Sequence, residues 1–254
     1  VSRWLAVARA TLLEAIRHRI LYLLLFFAAA LILFSRSLSL LTVGQDAKII
    51  KDVGLSAINL FGLLVVLFVG VGMLFREMER RTVQTTLSTP IARWEYLLGK
   101  CSGIAAAIVL NAALMSLILF GLLWLRGEMT WSMVIACLML MVELVFMTAV
   151  AVFYSSFSTP IFSALFTTAT YLVGHLSWSL PMLEERMANG PGRVLVHAFY
   201  LVLPNLEYGD LRGAAAHGLE LPVERVLGAA TYELSYAAVL LLLAMIAFRK
   251  RDLV

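Results

Sequence analysis

The chain reads as long apolar runs separated by short polar stretches. Six runs stand out, at about 20–41, 55–75, 101–125, 131–154, 161–178 and 229–248. A helix needs about 20 apolar residues to cross the ~30 Å hydrocarbon core of a bilayer, so each run predicts a membrane-spanning helix. Residues 1–19 follow another rule. Arg3, Arg9, Glu14, Arg17, His18 and Arg19 alternate with Trp4, Leu5, Ala8, Leu12, Ala15 and Ile16 at helical spacing. That pattern predicts an amphipathic helix lying in the interface plane, apolar face down. The first apolar run is expected to be a retained span and not a cleaved signal, because Arg36 interrupts its end and no small-residue cleavage site follows.

The polar stretches between the runs differ in kind. A short loop with Gln45, Asp46, Lys48, Lys51 and Asp52 is expected before the second span, which carries Gly62, Gly70 and Gly72. Residues 76–100, REMERRTVQTTLSTPIARWEYLLGK, are too polar to cross. Ser88 or Thr89 suits a helix N-cap and Pro90 the first helical position. Ile91, Trp94, Leu97 and Leu98 then share one face, which predicts a short amphipathic helix between the second and third spans. RGEMTW at 126–131 and SSFSTP at 155–160 read as tight turns. The longest loop covers 179–228. Its apolar piece, Val194 to Leu203, is too short to cross and is expected to be interfacial or re-entrant.

Composition sharpens this picture by exclusion. Of 254 residues, 62% are hydrophobic and 14% charged, and mean hydropathy is +0.93. A soluble globular enzyme, a disordered chain and a disulfide scaffold are all excluded, and no room remains for a sizeable soluble catalytic domain. The net charge of +4 is expected to set topology and not to bind nucleic acid. With six spans and the N-terminus inside, 12 Lys and Arg fall inside and 8 outside, four of the latter in the long loop where the positive-inside rule is weak. Both termini are therefore expected in the cytoplasm. Trp124, Trp131, Trp178, Tyr232 and Tyr236 fall near span ends on the outer side, where interfacial aromatics belong.

Catalytic and metal motifs are missing from the sequence. Gly99-Lys100-Cys101 mimics the end of a phosphate-binding loop, but Trp94 stands where the first glycine belongs and Cys101 replaces the Ser or Thr. There is no HExxH and no G-x-S-x-G, and the four histidines have no ligand spacing. Cys101 and Cys137 lie in apolar runs and predict no disulfide. Met182, Met187 and His197 make no convincing copper set. Two intramembrane polar residues stand out as candidates for a pathway or a helix contact. Glu143 lies near the middle of the fourth span, and His175 late in the fifth. A charge at mid-membrane is costly and is usually functional or paired within the bundle. Glu233, nearer the end of its span, is expected to be solvated more easily.

One stretch carries a family look. An acidic-basic run after the second span (Glu77, Glu79, Arg80, Arg81) leads to Thr82-Val83-Gln84, a Ser88-Thr89-Pro90-Ile91 turn, and Arg93-Trp94-Glu95-Tyr96-Leu97-Leu98-Gly99-Lys100. It resembles the first cytoplasmic loop of ABC-2 type transporter permeases. Phe248 to Leu253 resembles their terminus. Pro204-Asn205-Leu206-Glu207-Tyr208 resembles the outer-loop pattern of the branch associated with multicopper enzyme maturation. The resemblance implies an all-α membrane protein: one permease domain over 1–254, six spans, an N-terminal interfacial helix, a cytoplasmic coupling loop at 76–100 and an outer loop at 179–228.

It also implies a bacterial inner-membrane location and a dimer, with itself or a related subunit. Each subunit would bind a cytoplasmic ATPase, two copies in all, which holds ATP and Mg. This chain would carry no cofactor and no catalytic site. A periplasmic accessory protein is a further implied partner, beside the lipid bilayer. Glu77, Glu79, Arg80, Arg81, Pro90, Ile91, Arg93, Trp94, Glu95 and Leu98 would form the contact with the ATPase, and export is the implied direction. Two other functions compete. A proton-coupled secondary transporter would use Glu143, but the sequence displays no inverted repeat and no second mid-span charge. A membrane scaffold would bind partners without transport.

Overall fold

The computed structural model describes residues 3–39, 46–73, 75, 92–186, 192–193, 196–197, 200 and 203–249. Nine α-helices account for most of them: α1 (Arg3–Ile16), α2 (Arg19–Ser39), α3 (Asp46–Val65), α4 (Arg93–Leu125), α5 (Trp131–Ser155), α6 (Pro160–Leu176), α7 (Ser179–Arg186), α8 (Arg212–Ala216) and α9 (Val223–Arg249). A π-helical segment, Val66–Val71, continues α3 without a break in the rod. Five of the rods are long and apolar enough to cross a membrane: Arg19–Ser37, Ala47–Val71, Trp94–Leu125, Trp131–Ser155 and Val223–Phe248. The remaining expected span forms α6, whose 17 residues reach about 25 Å.

The most enclosed rod is α5. It packs against α3, α4, α6, α9 and the π-helical segment, whereas α2 and α9 are largely exposed on their outer faces. Its apolar length explains this position: Met133, Ala136, Leu140, Leu144, Met147 and Ala151 are all buried in one continuous core. Exposed Phe26, Phe27, Phe34, Leu242 and Ile246 on the peripheral helices suit contact with lipid chains.

Three boundaries differ from expectation. The polar stretch before the second span is helical, since α3 starts at Asp46. Lys51 can sit inside the helix because its ammonium lies 3.6 Å from a Glu128 carboxylate oxygen in the α4–α5 turn. The expected break between residues 100 and 101 is absent, and Arg93–Leu125 is one rod of 33 residues, about 50 Å long. Nothing in Leu98-Gly99-Lys100-Cys101 stops a helix, and the charge of Lys100 is answered by Glu14 at 3.7 Å. The long loop, finally, does not stay outside the bundle. Leu206, Leu211 and Ala215 are buried in the main core.

The turns obey local chemistry. At the end of α4 the Gly127 N–H donates to Trp124 O and the Glu128 N–H to Leu123 O, with Gly127 at φ +68. This paired closure requires a left-handed residue, which glycine adopts without cost. The same closure ends α8 at Gly218, φ +70, with donors Gly218 and Leu219 and acceptors Ala215 and Ala214. Pro160 opens α6 at its first helical position, where its missing N–H is not needed.

Candidate functional site

Two assemblies stand apart, one at the base of α4 and one around the middle of α5. The first is built on the start of α4. The carboxylate of Glu95 accepts the Ala92 N–H at 3.0 Å and so caps the helix. Gly99 and Gly103 face α1 so closely that a Cβ on Gly103 would lie 2.5 Å from the Ala8 carbonyl oxygen, and one on Gly99 2.8 Å from that of Trp4. The buried stripe of α1 is accordingly Val7, Thr11 and Ala15, a set of small side chains. It is rotated from the larger face formed by Leu5, Leu12 and Ile16, and Leu5 and Leu13 remain exposed. Tyr96 stacks on Phe248 of α9 with ring centroids 6.3 Å apart. Val7, Tyr96, Leu97, Cys101, Val152, Ala244 and Phe248 form a separate small core here. The base of α4 is thus wedged among α1, α5 and α9.

Of the residues expected to meet an ATPase, Trp94 is half exposed, Glu95 caps the helix and Leu98 is partly buried. The structure keeps these three on one end of α4. Glu77, Glu79, Arg80, Arg81, Pro90 and Ile91 lie outside the described residues, as does the side chain of Arg93.

The second assembly is polar and lies in the core beneath the long loop. Glu143 is 3% exposed at the middle of α5. Its Oε1 lies 3.5 Å from Asn59 Nδ2 of α3 and 3.6 Å from His175 Nε2 of α6. Asn59 Oδ1 accepts the Tyr171 hydroxyl at 2.8 Å, and the charge of Arg212 reaches that hydroxyl. Arg212 in turn holds Asp210 with two contacts, Nε to Oδ1 at 2.8 Å and Nη2 to Oδ2 at 2.5 Å. A continuous polar chain therefore runs from Asp210 through Arg212, Tyr171 and Asn59 to Glu143 and His175.

Backbone contacts bring the loop down to this depth. The Leu206 N–H donates to the Gly174 carbonyl at 3.1 Å, and a Cβ on Gly174 would strike the Leu206 side chain. The Asn205 N–H donates to the Tyr232 hydroxyl at 3.0 Å. Gly209 lies against the carboxylate of Glu233, with no space for a Cβ. Glu233 is 1% exposed, so it is not solvated as expected, and its charge reaches that of Glu143. The expectation that Glu143 stands alone is therefore overturned: a second buried carboxylate and an ion pair share its surroundings.

The loop charges are tuned by the same packing. Burial alone would raise the Asp210 carboxyl, but the hydrogen bonds and charge of Arg212 outweigh it and hold the group below the usual aspartate range. Burial works against the Arg212 guanidinium too, yet Asp210 holds it above its ordinary value. Burial, and then the charge of Asp210, pushes the Glu207 carboxyl up.

The sequence pointed to Glu143 and His175 but missed Asn59, Tyr171, Asp210, Arg212 and the burial of Glu233. A usable signal was present in Pro204 to Leu211, where apolar Leu206 and Leu211 flank Glu207 and Asp210 as in a buried turn. His197, considered for copper, has its ring Nδ1 3.2 Å from Glu184 Oε2. Among the described residues no group of three or more His, Cys, Asp or Glu is arranged to hold a metal ion.

No curated protein matches the chain. Residues 6–253 match the model of a family described as ABC-2 family transporter protein, and the chain belongs to that family.

Proposed function

We propose that this chain is the membrane-spanning permease subunit of an ABC exporter in a bacterial inner membrane, with both termini cytoplasmic. In this reading α6 completes six crossings, and the protein dimerises with itself or a related subunit. ATP and Mg are held by two cytoplasmic ATPase subunits. The observation that carries the reading is the family match over residues 6–253. The likeness of Pro204 to Tyr208 to the multicopper-maturation branch adds a periplasmic partner on the outer face.

The geometry of α4 supports a coupling role for 76–100 and the turn that follows. A push on an ATPase-bound Trp94 acts on a helix with no break before Leu125. Its base cannot move without moving α1, because the Gly99 and Gly103 seam leaves no slack between the backbones. Stacking of Tyr96 on Phe248 passes the same displacement to α9. ATP binding then shifts the population between inward-open and outward-open packings by favouring one position of the α4 base. Ile91, Trp94 and Leu98 anchor the contact by apolar burial, Arg93 and Glu95 fix its register, Glu77, Arg80 and Arg81 support it or pair across the interface, and Glu79 and Pro90 belong to the same contact segment.

Co-purification from membranes tests this. The chain is expected to bring down a soluble ATPase, and Trp94→Ala is expected to lose it while still inserting and dimerising. A full complement of ATPase bound to Trp94→Ala, with normal transport, would overturn the assignment of the contact.

A further inference from the structure

Glu143 and His175 face each other in a way that the hydrogen bonds around them do not satisfy. The ring Nδ1 of His175 lies 3.2 Å from the Tyr171 carbonyl oxygen. A carbonyl only accepts, so Nδ1 carries the hydrogen. In a neutral ring Nε2 is then a bare acceptor, and it has no hydrogen-bond partner among the described residues. The nearest group to answer it is Glu143 Oε1, 3.6 Å away. An ionised carboxylate also only accepts. Two acceptors facing each other inside a bilayer need one proton between them, and a protonated Glu143 carboxyl supplies it by donating to the bare Nε2.

We propose that Glu143 and His175 form a proton-binding site, closed on its loop side by the segment 203–216, and that loss of the proton releases that segment. The groups facing Glu143 decide the direction of the effect. They are Asn59 from α3, Tyr171 and His175 from α6, Glu207, Asp210 and Arg212 from the loop, and Glu233 from α9. Arg212 is the one guanidinium in this set, and Asp210 already engages it on two nitrogens. Among the described residues Glu233 has no cation at ion-pair distance, and Glu143 has only the His175 ring. With a proton held between Glu143 and His175, Asp210 and Arg212 neutralise each other and the loop sits on an uncharged floor. Without it, the Glu143 carboxylate competes with Asp210 for Arg212 and repels Asp210 and Glu207, which loosens the pair that holds the loop.

Transmission needs no long-range field. Glu143, Asn59 and Tyr171 are hydrogen-bonded in sequence, and Arg212 acts on the Tyr171 hydroxyl at the loop end of that chain. The step is a simple deprotonation. The carboxyl O–H bond breaks, the electron pair stays on Glu143, and the proton passes to water. The proposal holds whether or not an ATPase drives the chain, and nucleotide plays no part in its test.

The test uses the full chain in lipid vesicles. Infrared difference spectra across a pH titration should contain the carbonyl stretch of a protonated carboxyl group that vanishes as pH rises. Glu143→Gln should remove that band, and because the amide is the neutral isostere the protein should stay folded. Glu233→Gln should leave it in place. His175→Gln should shift its midpoint by about one pH unit, a tenfold change in proton affinity, which a purely structural histidine would not do.

A second readout follows the loop. Ala215 is fully buried, so Ala215→Cys should react with a water-soluble maleimide slowly at low pH and faster at high pH, beyond the rise due to thiolate formation. Adding Glu143→Gln should abolish that excess. A wild-type protein with no such band, a titrating band that is the same in Glu233→Gln and in the Glu143→Gln, Glu233→Gln double variant, a midpoint unmoved in His175→Gln, or labelling whose excess survives Glu143→Gln would each overturn the proposal.

Discussion

The base of α4 and the middle of α5 are held by opposite means. At the α1 end, small residues bring backbones into contact. Gly99 and Gly103 let α1 lie against α4 with no room for a methyl group, and the charges Lys100 and Glu14 sit at the rim. Beneath the loop, backbone contacts at Gly174 and Gly209 seat the segment, but the space under it is filled by polar side chains, from Asp210 through to His175. The first arrangement is stiff, because dense packing admits few alternatives. The second is conditional, because each of its bonds depends on the charge state of a neighbour. A transporter needs both kinds of contact: one that transmits force and one that lets go.

Substitutions that convert one region into the other should have large and distinct effects. The largest are expected at Arg212 and at the glycine seam. Arg212→Ala leaves the half-buried Asp210 without its charge-assisted hydrogen bonds, which costs roughly 2 kcal/mol. Limited proteolysis should then cut within 203–216 while α4 and α5 stay intact. At the seam, Gly103→Val forces a side chain against the Ala8 carbonyl, and overpacking of this kind costs roughly 2 kcal/mol. Crosslinking between α1 and α4 should fall, with the loop undisturbed. If Gly103→Val instead freed the loop, the two regions would not be separable.

Tyr171→Phe is a milder probe, since it removes the hydroxyl that links Arg212 to Asn59. Interhelical hydrogen bonds in membranes are worth about 0.6 kcal/mol, so thermal stability in detergent should drop only slightly. The smallest expected effect is at Lys51, whose partner Glu128 is half exposed. Lys51→Met should change stability by roughly 0.3 kcal/mol.

Acid gives a further contrast. Asp210 has a folded value below its unfolded one, so its stabilisation is fully present above the usual aspartate range and is lost as pH falls through the folded value. Glu207 has a raised value, so its contribution is present below the usual glutamate range and is lost as pH rises. Loop docking should therefore be weaker at both extremes of pH. The α1–α4 seam, which rests on glycine contacts, should be insensitive. Hydrogen exchange at Leu206 and at Gly103 measured across pH compares them directly.

How much of this was legible in the sequence depends on the range of the interaction. The runs at 101–125 and 131–154 coincide with the apolar parts of α4 and α5, because a long run bounded by a glycine turn has one reading. The start of α3 was missed because hydropathy marks where a helix enters lipid, not where it begins, and Asp46 to Asp52 are polar yet helical. The continuity of α4 was hidden by Gly99 and Lys100, which look like a boundary until α1 supplies a surface for one and Glu14 a charge for the other. The polar cluster was least legible. Asn59, Glu143, Tyr171, Arg212 and Glu233 are spread over most of the chain, and no local spacing connects them.

The central claim is that an ATPase acts through the base of α4 to change the state of the bundle. Spin labels at Ala92, beside the α4 cap, and at exposed Leu219, beyond the loop, report on both regions. In the reconstituted complex the distance between them should shift when ATP is added, and the shift should vanish in Trp94→Ala. The same distribution with and without nucleotide in the unsubstituted complex would contradict the account.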